Sequence, residues 1–142
     1  MRPVSAQWTV EADGEMAASL SEKEAIVYIC NDKNEVFRII TSNRLPMIGE
    51  GLYSYFPTTY RIDNGAERKA WLFLRSQDLE TPEYTYTLII DVSGKNTTID
   101  AIISTLGAGN ELTLDMWGST IKSTFSLAGF QRAVSEVRRN CK

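Results

Sequence analysis

The sequence predicts an α+β fold: an antiparallel, β-rich sandwich or sheet of about seven to eight strands with two helices, one of them C-terminal. Three observations carry that prediction. Apolar residues alternate with a period of 2 between clear turn signals, two segments switch to the helical period, and strands do not alternate with helices as a parallel sheet requires.

Residues 8–10 open a short strand, and Asp13-Gly14 after it is a turn signal. Ala25-Ile26-Val27-Tyr28-Ile29-Cys30 is rich in β-branched residues, the turn-forming Asn31-Asp32-Lys33-Asn34 follows, and Val36-Phe37-Arg38-Ile39-Ile40-Thr41 returns as the second arm of a hairpin. A second hairpin joins 58–63 to 68–74 through Asn64-Gly65, a dipeptide that tolerates positive φ. Tyr84, Tyr86, Leu88 and Ile90 then alternate with Thr85, Thr87 and Ile89 as one more strand.

After residue 90 the period changes. Ile99, Ile102, Ile103 and Leu106 fall at i, i+3, i+4 and i+7, the spacing of one helix face. Thr97-Thr98-Ile99-Asp100 supplies a start close to a capping box, and Gly107 is able to end the helix in a left-handed turn. Leu112, Leu114 and Met116, the turn at Gly118-Ser119, and Ile121, Ser123 and Phe125 make a third hairpin. Leu127, Phe130, Ala133, Val134, Val137 and Cys141 lie along one helical stripe, so Cys141 faces the body of the protein.

At 142 residues, with 43% hydrophobic and 23% charged residues, the chain is long enough for a single core. Residues 7–142 read as that one domain and residues 1–6 as the remnant of a leader. Val4-Ser5-Ala6 has the small-x-Ala form of a signal-peptidase site, although no apolar region precedes it. A net charge of -3 without basic runs argues against nucleic acid as a partner. No apolar stretch approaches the roughly 18 to 20 residues of a membrane-spanning helix, so no membrane insertion is expected.

The chain contains no histidine, which removes the commonest general base, the commonest metal ligand and every Ser-His or Cys-His pair. Nucleotide, dinucleotide, serine-hydrolase and dithiol motifs are absent as well. The expectation is a protein that is not an enzyme, with no catalytic residues, no metal and no cofactor. Asp63, Asp91, Asp100 and Asp115 sit where turns, caps and exposed strand faces account for them. An even cysteine count suits one disulfide between Cys30 and Cys141, and two separate reduced thiols is the other reading. Two sulfurs fall short of the four ligands of a structural zinc site.

Residues 46–57 are the one long stretch without periodicity, the natural place for a functional loop. Its aromatics, with those of the next hairpin, offer large contact area with polar tips. Alternation puts Tyr60 and Ile62 on one strand face and Arg61 and Asp63 on the other, so Tyr60 belongs to the core and Arg61 to the surface. The candidate binding residues are Tyr53, Tyr55, Arg61, Asp63 and Trp71.

Four stretches in order resemble a known family. Tyr28-Ile29-Cys30 with Val36-Phe37-Arg38-Ile39, and Thr59-Tyr60-Arg61-Ile62-Asp63-Asn64-Gly65 with Trp71, are similar to the R-C…V-x-I and V-x-Y-R-I-D-x-G…W pattern of VasI/TagO-type proteins, exported accessory proteins associated with bacterial type VI secretion. The helix 99–106, the strand 111–117 and the ending Thr124-Phe125-Ser126-Leu127-Ala128-Gly129-Phe130 to Val137-Arg138-Arg139-Asn140-Cys141 resemble that family's closing helix-strand-strand-helix and its F-x-L-x-G…C tail. The tail also resembles that of invasion-associated locus B-like proteins. Where the family carries an aromatic after its last cysteine, this chain has Lys142.

The resemblance implies an exported, disulfide-bearing periplasmic domain that serves as a binding or accessory module, with a protein or a cell-envelope component as partner. Two other readings stand beside it. One is a periplasmic inhibitor that plugs the cleft of a lytic enzyme with the loop 46–57, and the other is a carboxylate-based hydrolase of cell-wall glycan.

Overall fold

Period-2 alternation gives each strand one apolar face, and those faces find a common interior. A computed structural model describes residues 7–11, 14, 16–21, 24–31, 34–42, 55–78, 83–91, 98–115 and 122–141. In chain order its elements are β1 (Thr9–Val10), β2 (Met16–Leu20), β3 (Ala25–Asn31), β4 (Asn34–Thr41), β5 (Tyr55–Ile62), β6 (Arg68–Asp78), β7 (Glu83–Ile90), α1 (Ile99–Gly107), β8 (Glu111–Asp115), β9 (Lys122–Ser126) and α2 (Phe130–Asn140). The described strands form one antiparallel sheet of nine, ordered β1-β2-β3-β4-β7-β6-β5-β8-β9. The fold class is as the sequence predicts, resolved into a single sheet and not a sandwich.

The added strand is β2. Met-Ala-Ala-Ser-Leu has little strand propensity of its own, and its pairing is set by neighbours: Ala17 lies opposite Tyr28 and Ser19 opposite Ile26. The second hairpin is longer than its sequence signals, because β5 starts at Tyr55 and includes Pro57. A proline is tolerated there because, beyond the Thr59–Asp115 pair, β5 has only β6 as partner among the described residues.

One row of side chains shows how the interior is built. Ala17, Tyr28, Phe37, Leu88, Leu72 and Phe56 stand in register across β2, β3, β4, β7, β6 and β5, and all six are buried. The sheet curls until its two ends meet: Ser19 Oγ donates to the Ser126 carbonyl at 3.2 Å, and Trp8 N donates to the Ala128 carbonyl at 3.0 Å. The curl leaves a concave side for α2, which packs against β1, β2 and β3.

Phe130, Ala133, Val134 and Val137 form the buried stripe of α2. The Phe130 ring meets Trp8 edge-on at 4.9 Å and stacks on Phe37 at 6.0 Å. Gly129, at φ 76°, takes the left-handed turn that carries the chain from β9 into the helix beneath Trp8. The helix is shorter than the apolar stripe suggests, since Leu127 precedes it and Cys141 follows it.

Two details of α1 differ from expectation. Thr98 is its cap and accepts from Ala101 N at 3.1 Å, so no acidic residue stands three places on to complete a capping box. Gly107 remains helical and Ala108 closes the helix at φ -82°, without a left-handed residue. Gln131 Nε2 of α2 donates to the Gly107 carbonyl at 2.9 Å and so satisfies an end carbonyl that a glycine turn would otherwise serve.

Cys30 and Cys141 form a disulfide, with Cα atoms 5.8 Å apart and a sequence separation of 111. A polar cluster adjoins it. Tyr28 Oη donates to Glu35 Oε2 at 2.6 Å, Arg138 Nε and Nη2 donate to the same oxygen at 2.9 and 2.8 Å, and Arg138 Nη2 reaches Asp100 Oδ1 at 2.5 Å. The cluster ties β3, β4, α1 and α2 together where the tail of the chain arrives.

Burial first, and then the hydrogen bond given to Glu35, pushes the Tyr28 phenol well above the ordinary tyrosine range. Burial shifts Tyr60 in the same direction, and its hydroxyl donates to the Asp91 carbonyl at 2.6 Å. In the unfolded chain both phenols return to about 10, so as pH climbs past that value the unfolded state gives up protons that the folded state keeps. The stability these shifts represent is complete below about pH 10 and is lost progressively above it. Urea midpoints are expected to fall from about pH 10 upward, with a shallower fall in Tyr28→Phe; a flat profile would contradict the burial of these hydroxyls.

Candidate functional site

On β5 the side chains of Phe56, Thr58 and Tyr60 turn inward and are buried, so those of Pro57, Thr59 and Arg61 turn outward. Trp71 lies opposite Pro57 on the outer face of β6 and beside Ile89 of β7. Four residues along β5, Arg61 lies opposite Thr113 of β8. Trp71 and Arg61 therefore share one outer face, separated by the pair Thr59 and Lys69. The Arg61 side chain is 49% exposed and stands 4.0 Å from Glu67.

Asp63 sits at the tip of the β5–β6 hairpin and takes the positive φ, 53°, that the sequence reading assigns to Asn64-Gly65. The turn closes from Gly65 N to the Ile62 carbonyl at 2.9 Å, which places Asp63 and Asn64 at its centre. The Asp63 carboxylate accepts from Asn110 N at 3.0 Å and Glu111 N at 2.9 Å, joining the hairpin to the α1–β8 connection. That connection comes close: a Cβ on Gly109 would stand 2.1 Å from Ile62 Cγ2.

Asp63→Ala is expected to cost about 1 kcal/mol, because two exposed amides exchange a charged acceptor for water, and Asp63→Asn about half of that. Chemical denaturation measures both. Equal stability of the alanine variant would show that this clamp carries no weight.

Of the other candidates, Tyr53 lies outside the described residues, as do positions 46–54 of the predicted loop. Tyr55 is placed by its backbone alone, in register with Phe73. The structure thus brings Arg61 and Trp71 to one face, sets Tyr55 beside that face in the strand order, and gives Asp63 a clamping role at its end.

The sequence reading misses two features. The first is an apolar stripe on the outer face. Ile29 pairs with Val36, Ile89 pairs with Trp71, Trp71 pairs with Pro57, and the register Phe37–Leu88 sets Val36 next to Ile89. Five strands thus carry apolar side chains on the side away from the core. The signal was present as continuous apolar runs, such as Ala25 to Cys30, which mark strands that are apolar on both faces.

The second feature is a buried carboxylate. Glu24, 7% exposed in the β2–β3 turn, accepts from Thr41 Oγ1 of β4 at 3.1 Å and from Ser123 Oγ of β9 at 2.5 Å. It fastens the turn to strands on both sides of the place where the curled sheet meets itself. Nothing in the local sequence separates this glutamate from a surface one.

Two further carboxylates of the described residues meet cations. Asp100 holds Arg138, Asp115 lies 4.0 Å from Lys122, and the Asp115 carbonyl accepts from Thr58 Oγ1. Among the described residues no group of three or more Cys, Asp or Glu is placed to hold a metal ion, and no helix is long and apolar enough to cross a membrane. Comparison with protein-family models, with curated proteins and with solved structures finds no match.

Proposed function

We propose that this chain is an exported, non-catalytic binding or accessory domain of the bacterial periplasm, whose partner is a protein or a cell-envelope component. The resemblance to type VI secretion accessory proteins suggests where it works. The observation that carries the reading is the Cys30–Cys141 disulfide, which joins an early strand to the end of the chain and fits an oxidising compartment. The outer face that holds Trp71 and Arg61 supports a binding role, since aromatic and guanidinium groups dominate recognition energetics.

The test is partner recovery from periplasmic extract with the wild-type chain and with Arg61→Ala/Trp71→Ala, both first shown to be folded by circular dichroism. Loss of a partner in the double variant is the expected result. Unchanged recovery would remove this face from the proposal.

A further inference from the structure

We propose that the outer face of β3, β4 and β7 docks a protein segment that presents a carboxylate between apolar side chains, with Arg38 as the group that receives the carboxylate. The proposal rests on the binding-domain reading and gives the partner a chemistry. Arg38 stands on the outer side of β4, between its cross-strand neighbours Val27 and Thr87. Val27 is only 3% exposed although it lies outside the core cluster.

The Arg38 side chain is half-buried, and its Nε is shielded from solvent without a hydrogen bond. Among the described residues no carboxylate pairs with it. Of the exposed cations, Arg61, Lys122 and Arg139 each have a carboxylate at 3.9–4.0 Å, whereas Arg68, Lys69 and Arg132 have none among the described residues but stand in water, which Arg38 Nε does not. The Arg38 guanidinium carries donors and no acceptor, so only an acceptor can satisfy its free Nε–H. Holding it against Val27 with a donor unused costs free energy that an apolar side chain at the same place would not. A residue that is unfavourable in the free protein and faces outward among apolar neighbours is explained by a bound state that supplies its acceptor.

The charge pattern selects the class of partner. Anionic membrane surfaces are held by clusters of about four to eight Lys or Arg, whereas here one guanidinium is set in an apolar stripe on a chain of net charge -3. A segment with one carboxylate flanked by β-branched side chains matches both the charge and the stripe formed by Ile29, Val36 and Ile89.

The probe is a short synthetic peptide with one glutamate flanked by valine and isoleucine, compared by NMR titration with the same peptide carrying glutamine. With the wild-type chain the glutamate peptide is expected to move the Arg38 Nε–H and the amides of Val27, Val36, Thr87 and Ile89, and to bind about tenfold more tightly than the glutamine peptide. Arg38→Met is expected to bind both peptides at the glutamine level and to be at least as stable as wild type.

Equal binding of the two peptides, shifts on another face, or clear destabilisation by Arg38→Met would overturn the proposal. So would Arg38-dependent adsorption to phosphatidylglycerol vesicles without peptide discrimination. Equal peptide binding together with partner loss in Arg61→Ala/Trp71→Ala would overturn this inference alone and leave the binding-domain reading in place.

Discussion

Replacing both cysteines, Cys30→Ala with Cys141→Ala, is expected to lower the unfolding free energy by about 4 kcal/mol and to raise the urea m-value. With a sequence separation of 111, the bridge removes much of the freedom of the unfolded chain, on the order of 4 to 5 kcal/mol in the chain-entropy account. Without it the unfolded chain expands, and more surface is exposed on melting. The Arg138 cluster next to the bridge does not replace it. Arg138 and Asp100 side chains are 36% and 77% exposed, so water screens that pair, and its share is about 1 kcal/mol or less. A variant that melts within about 1 kcal/mol of wild type would show that the bridge is incidental to stability.

Phe130→Ala is expected to cost about 3–5 kcal/mol and to abolish the near-ultraviolet signal of Trp8. Phe130 is 1% exposed and fills the space between Trp8 and Phe37, so truncation leaves a cavity under the first turn of α2. The helix has few other means of holding its N-terminal end, because Gly129 provides no side-chain cap. Exposed Gln131→Ala, by comparison, removes only a hydrogen bond to the Gly107 carbonyl and is expected to cost about 1 kcal/mol. Equal costs for the two would place α2 outside the core.

The three hairpins and both helices are legible in the sequence because local period decides them; the second turn is centred one residue earlier than Asn64-Gly65, and Gly118-Ser119 of the third lies outside the described residues. Met16–Leu20 is not, because it becomes a strand through pairing with β3 and not through its own residues. The choice between sheet and sandwich is also hidden. It depends on β4 pairing with β7 and β5 with β8, contacts between distant segments that no local pattern specifies.

At the site, alternation alone tells that Arg61 points outward and Tyr60 inward. It does not tell that Asp63 is engaged by the amides of Asn110 and Glu111, since that follows from the close approach of Gly109. Arg38 reads as an ordinary solvent-facing residue within Val36-Phe37-Arg38-Ile39-Ile40. Only the packing around it reveals a cation with a donor unused.

The closure of the chain by its own tail is tested most directly by intact mass after alkylation, on protein purified without reductant. No alkylated cysteine is expected before reduction and two after it, with circular dichroism unchanged by the alkylating agent. Two alkylated cysteines before reduction would contradict the closed fold and, with it, the oxidising compartment on which the proposed function depends.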